Sequence, residues 1–174
     1  ATYLTETLES VASDTSGELA NYIPELAAVD PDKLAASIAM VDGEQYAAGD
    51  SDVEFTIQSI SKPFVYALAL ADRGYDDVLA KVGVEPSGEP FNELSLEDGS
   101  GKPLNPMINA GAITTHSLVG PPGATQGERM ERVISGLSAF AGRRLSVNER
   151  VYESELEHAH RNYAIAHMLR GHGI

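Results

Sequence analysis

Phe55-Thr56-Ile57-Gln58-Ser59-Ile60-Ser61-Lys62-Pro63 is the stretch around which the remaining sequence falls into place. The apolar alternation Val53, Phe55, Ile57 stops at Gln58, and Pro63 stands just ahead of an alanine- and leucine-rich helical pattern that begins at Phe64. This pattern predicts a strand or extended segment that delivers Ser59 to the first turn of a helix. Ser59 and Lys62 are three apart, so in a helix they share a face and a hydroxyl has an amine within reach. The positive end of the helix dipole and burial both disfavour charge on Lys62, which leaves neutral amine to take the serine proton. The free N–H groups of the same turn would stabilise an oxyanion. The pair alone is a weak signal, because a helix N-cap serine near a solvated lysine has the same spacing.

Composition narrows the function classes. A chain of 174 residues, 43% hydrophobic and 22% charged, is globular and long enough for one domain with a real core. Its net charge of −14 argues against nucleic acid and anionic membrane surfaces as partners, since both demand basic patches. The same acidic surplus suits solubility at high salt. With no cysteine there is no disulfide framework, thiol nucleophile or thiolate metal site to compete with the serine. No apolar run reaches membrane-spanning length, and Ala1-Thr2-Tyr3-Leu4 lacks the basic start and apolar middle of a signal peptide, so a cytoplasmic location is expected.

In chain order, Leu4, Leu8, Val11 and Ala12 predict a first helix, which the turn-rich run Ser13–Gly17 ends. Pro24 pushes Ile23 out of helical conformation and places Tyr22 where a helical turn gives way to a bend. Leu34–Met40 and Gln45–Ala48 flank Val41-Asp42-Gly43-Glu44, which predicts an antiparallel hairpin. Helices are expected over Pro63–Ala71, ending near Gly74, and over Asp76–Val82, ending at Gly83. Glu85–Pro106 reads as a long irregular loop of the functional or mobile kind. After it, small residues around Asn109 in Asn105-Pro106-Met107-Ile108-Asn109-Ala110-Gly111-Ala112-Ile113 allow close backbone approach. Asn109 either offers a ligand a donor and an acceptor or caps its own backbone. Thr125-Gln126-Gly127-Glu128 has capping-box spacing and opens a helix through Phe140 that stops at Gly142. Two more helices are expected, around Asn148–Ser154 and Glu157–Leu169, with Glu155 and Asn162 flanking their junction. His158, His160 and His167 lack the spacing of a metal site, so no metal or other cofactor is expected.

Four separated blocks carry a resemblance: Ala20-Asn21-Tyr22-Ile23-Pro24-Glu25-Leu26; Gln58-Ser59-Ile60-Ser61-Lys62-Pro63; Asn105–Ile113; and Ser154-Glu155 with Arg161-Asn162-Tyr163-Ala164-Ile165. In order and separation they resemble the serine-dependent glutaminases, a family built on the serine β-lactamase and penicillin-binding-protein fold. The resemblance implies an α+β, β-lactamase/transpeptidase-like architecture. Residues 1–62 would hold the helix, hairpin and nucleophile segment, and 63–174 a helical subdomain. It implies Ser59 as nucleophile, Lys62 as its activating partner, and Tyr22, Ser59, Asn109, Glu155 and Asn162 as the residues that hold L-glutamine. Glu155 suits the substrate ammonium, and Asn109 and Asn162 suit its carboxylate or amide. A homo-oligomer is also expected.

Members of that family are considerably longer. The sequence in hand lacks the later helices, the C-terminal strands, two further site tyrosines and the second oxyanion N–H that the resemblance would supply. It therefore reads as the N-terminal portion of a glutaminase, poorly active unless complemented by the missing C-terminal portion of its own domain. Two rival readings stand beside this one. A penicillin-interacting or β-lactamase-like serine acyl transferase shares the Ser-x-x-Lys logic, but no Ser-Asp-Asn or Lys-Thr-Gly triplet occurs. A non-catalytic glutamine-binding or interaction module would bind without releasing ammonia.

Overall fold

The structure, a computed structural model, describes residues 2–174. Its elements are mostly helical with one two-stranded sheet, an α+β composition, and they form two compact units. The first unit contains the chain up to Thr56 together with Glu149–His158; the second contains Ile57–Asn148 with Ala159–Ile174.

In the first unit, helix α1 (Thr2–Val11) packs on strands β1 (Ala35–Ala39) and β2 (Gln45–Gly49), with Leu4 buried. The strands pair antiparallel from Ala35↔Gly49 to Ala39↔Gln45. The Asp-Gly signal is realised at the tip. Gly43 takes φ 92°, which only glycine adopts without strain, and the Asp42 carboxylate accepts the Glu44 N–H at 3.0 Å. At the other end Gly49 takes φ 73°, and a Cβ there would meet the Leu34 carbonyl at 2.2 Å and Leu8 Cδ1 at 2.8 Å. The close approach of α1 to the hairpin thus depends on this glycine. Helix α2 (Pro24–Ala27) is a single turn with proline at its start, and it packs on helix α7 (Glu149–Glu157).

The second unit opens with a 3₁₀ turn, Gln58–Ile60, that runs into helix α3 (Ser61–Arg73). Helix α4 (Tyr75–Leu79) follows across Gly74. Helices α5 (Asn109–Leu118) and α6 (Gln126–Ala141) both pack on α3, and α8 (His160–Gly171) packs on α5. Val65, Leu68, Ala69, Val78 and Val119 form one buried cluster; Ile108, Ala110, Ile165 and Leu169 form another. Gly136 of α6 lies against Leu68, where a Cβ would come within 2.5 Å of the leucine side chain. The Thr125 capping box opens α6, and Gly142 in left-handed conformation closes it.

Several expectations need correction. Of the two readings of Val53–Ile57, strand or extended segment, the strand is excluded: Val53 and Phe55 are exposed and no third strand pairs with the hairpin among the described residues. The helical turn beside Tyr22 follows it rather than precedes it, because Pro24 starts α2 with Ile23 extended at φ −135°, ψ 150°. Helix α4 stops at Leu79, short of Val82. Helix α7 runs on to Glu157, and α8 begins only at His160, since the chain turns at His158-Ala159.

Candidate active site

The residues singled out from sequence fall into two groups, one in each unit. In the second unit, Ser59 is exposed in the 3₁₀ turn immediately ahead of α3, rather than within its first turn. The residue before it, Gln58, has φ 44°, a left-handed conformation found at no other non-glycine among the described residues. Such backbone costs roughly 1 kcal/mol or more and persists only when held in place. It is held here by Ser61, whose backbone N–H and hydroxyl both donate to the Gln58 carbonyl, the hydroxyl at 2.7 Å. No side chain caps the start of the 3₁₀ turn or of α3, so neither Ser59 nor a neighbour serves as an N-cap.

Lys62 lies one turn on and is 8% exposed. Its amine donates to Asn109 Oδ1 at 2.7 Å and to the Met107 carbonyl at 3.0 Å. Burial holds its pKa below the ordinary lysine range, so neutral amine is accessible closer to neutral pH than for a surface lysine. Both acceptors lie at the start of α5, and Asn105 builds that start. Its side-chain oxygen accepts the Met107 and Ile108 N–H groups at 3.0 and 3.2 Å, and its Nδ2 donates to the Glu85 carbonyl at 2.9 Å. Gly111 lets the helix approach this turn, since a Cβ there would sit 1.9 Å from the Asn105 carbonyl oxygen. Asn105 is thus the backbone-capping asparagine, while Asn109 spends its oxygen on Lys62.

Asn162 is exposed in the first turn of α8, and no hydrogen bond links it to Ser59, Lys62 or Asn109 among the described residues. Its neighbour Arg161 donates to the Asn92 carbonyl at 2.5 Å and lies 3.9 Å from the Glu93 carboxylate.

In the first unit, Tyr22 and Glu155 meet. Partial burial, then the Glu155 charge and a hydrogen bond to it, raise the Tyr22 phenol pKa. Glu155 Oε1 is buried with no hydrogen-bond partner, as is Glu25 Oε2. The Ser154 hydroxyl bonds Glu25 and lowers its pKa, and Arg150 lies 3.9 Å away. A buried carboxylate oxygen without a hydrogen-bond partner has unused acceptor capacity.

Among the described residues there is no group of three or more histidine, aspartate or glutamate side chains that could hold a metal ion, and no helix is long and apolar enough to cross a membrane. Sequence reasoning missed Asn105, the Met107 carbonyl and Phe91, whose ring centroid is 4.9 Å from the Lys62 amine. An aromatic inside the polar Glu85–Pro106 loop was the one signal available for Phe91.

The glutaminase family model matches residues 17–174, and the chain belongs to that family. It is 54% identical over 172 residues to a glutaminase of Corynebacterium glutamicum, covering 99% of the chain and 41% of that relative. The solved structure of Mglu in its glutamate form matches with TM-score 0.93 and 50% identity, over 99% of the chain and 39% of that structure. The probable glutaminase from Bacillus subtilis complexed with 6-diazo-5-oxo-L-norleucine matches with TM-score 0.82 and 37% identity, over 98% of the chain and 51% of that structure. The chain thus spans about two fifths of the length of the two Corynebacterium glutaminases it matches.

Proposed function

We propose that this chain carries the nucleophile and part of the substrate site of a glutaminase that hydrolyses L-glutamine to L-glutamate and ammonia through a serine acyl-enzyme. The observation that carries the reading is the buried, pKa-lowered Lys62 amine, fixed by Asn109 and one turn from the exposed Ser59. In this reading Lys62 takes the Ser59 proton as Oγ attacks the side-chain amide carbon. The C–N bond then breaks, ammonia leaves with a proton, and water cleaves the Ser59 ester to glutamate and free serine. The Ser59 N–H, uncapped in its turn, serves as one oxyanion donor. Asn109 orients the amine, and Asn162 takes substrate polar groups. Glu155, with its buried free oxygen and Tyr22 beside it, takes the α-ammonium.

Two relatives support the substrate class. Mglu was solved in its glutamate form, the product of this reaction. The ligand of the Bacillus subtilis protein is an L-amino acid with a carbonyl at carbon 5, the position of the glutamine amide carbonyl. We extend the reading to the β-lactamase/transpeptidase-like fold, with residues 1–62 and 63–174 as parts of one domain, to a homo-oligomer and to a cytoplasmic site of action. Because the chain spans only 41% of the length of the Corynebacterium glutamicum glutaminase, the full reaction is proposed for the family-length protein.

Hydroxylamine trapping tests the acyl-enzyme. Family-length protein given L-glutamine and hydroxylamine is expected to form γ-glutamyl hydroxamate, and its Ser59→Ala variant none. Ammonia release without hydroxamate, or hydroxamate from Ser59→Ala, would overturn the serine mechanism. Acylation by a chromogenic β-lactam in place of glutamine would move the chain to the penicillin-interacting class.

A further inference from the structure

Phe91 is 60% exposed, yet the face of its ring lies over the amine of Lys62, a residue that is itself 8% exposed. An exposed aromatic in a polar loop is usually solvated; this one is anchored. Its own carbonyl accepts the N–H of Asn109 at 2.9 Å, the residue whose side chain accepts from the Lys62 amine. The next carbonyl, that of Asn92, accepts from Arg161 at 2.5 Å, and Glu93 lies 3.9 Å from the same guanidinium. Three consecutive loop residues are therefore tied to α3, to the start of α5 and to the first turn of α8, where Asn162 stands.

We propose that Phe91 is a positioning residue of the site: its ring, held by the Asn109 and Arg161 hydrogen bonds to its loop, keeps water off the Lys62 amine and fixes that amine against Asn109. The proposal rests on Lys62 as the partner of Ser59. A ring over an amine has two opposed effects. Its π face attracts the cation, and its bulk removes the water that would stabilise the cation better. The Lys62 pKa is lowered with burial as the cause, and the ring's share in that burial is taken as its larger effect. The groups that meet the amine, Met107, Asn109 and Phe91, carry no charge. Tyr66 stands one turn further on α3, and the Asp72–Arg132 pair that ties α6 to α3 lies ten residues from Lys62, about 15 Å along the helix.

In the family-length protein, ¹³Cε-lysine NMR follows the Lys62 titration, with the resonance assigned as the one that disappears in Lys62→Arg; within residues 1–174 it competes with only Lys33, Lys81 and Lys102. In Phe91→Ala, water reaches the amine, and the midpoint is expected to rise by about one pH unit. In Phe91→Leu, bulk is kept and the π face is lost, so the midpoint is expected to stay at or below the wild-type value. Phe91→Tyr restores the wild-type curve. A loop that had merely come loose would raise the midpoint in both the Ala and Leu variants, and that result overturns the proposal. So does a Phe91→Ala midpoint equal to wild type. The measurement needs no turnover, so it fails independently of the reading beneath it: Lys62→Ala with undiminished ammonia release in the family-length protein would remove the role of Lys62 while leaving the titration result intact.

Discussion

The Lys62 amine donates to Asn109 Oδ1 at 2.7 Å, across 47 residues of sequence, and this contact joins the helix that follows the serine to the start of the helix beneath the long loop. A neutral amide is the partner such an amine needs if it is to lose its proton. It accepts the N–H without adding a negative charge that would hold the proton on.

Asn109→Asp adds that charge with almost no change in shape. The Lys62 titration is expected to rise by about one to three pH units. Ammonia release by the family-length protein near neutral pH is expected to fall at least about tenfold. Lysine NMR and an ammonia assay on the same variant check both halves.

The lowered Lys62 pKa also fixes the sign of a pH effect on stability. Between its folded value and the ordinary 10.5, the unfolded chain binds more protons than the folded one, so stability rises with pH across that window. Below the window the penalty is fully present. Urea unfolding over this range is expected to show a rise with pH that Lys62→Met lacks. The limb of ammonia release that rises with pH should have its midpoint at the Lys62 value, below 10.5.

Gly111→Ala places a methyl 1.9 Å from the Asn105 carbonyl oxygen, a backbone atom that cannot step aside. The expected loss is about 1–3 kcal/mol of stability, as in over-packed cores. Because Asn105 holds the Met107 N–H, the Lys62 resonance should shift as well. Gly127→Ala, with open space around it, is the control.

Asp72 anchors the other end of α3 by accepting from Arg132 at 2.7 Å and from the Gly120 N–H at 2.8 Å. Burial, the largest single influence, pushes its carboxyl pKa up, but the Arg132 hydrogen bonds, the Gly120 N–H and the nearby arginine charges outweigh it, and the net direction is down. Its contribution is therefore present above the ordinary 3.8 and is lost as pH falls through the folded value. Asp72→Ala is expected to cost about 1.5–3 kcal/mol at neutral pH. Thermal melts should show that the difference from wild type shrinks below about pH 4.

What could be read from sequence follows from how local each signal is. The hairpin at Asp42-Gly43 and the helix bounded by Thr125 and Gly142 are set by a few adjacent residues, and both are where the pattern put them. Ser59, Lys62 and Asn109 stood out weakly by type and spacing and were picked out by the four-block resemblance; the structure places Lys62 and Asn109 in contact. At Val53–Ile57 the alternation left strand and extended segment open, because a neighbour must complete the ladder before alternation makes a strand. Phe91 and Asn105 stayed hidden because their partners are reached through the irregular loop, whose path no local periodicity encodes. Asn105 and Asn109 are both asparagines in one short block, and only the hydrogen bonds show which caps the chain and which meets the amine.

Ammonia release from L-glutamine by the family-length protein, measured for wild type and Ser59→Ala side by side, tests the central claim most directly. Wild type is expected to release ammonia steadily, and the variant to lose roughly a thousandfold or more of that rate. Undiminished release by Ser59→Ala would contradict the claim.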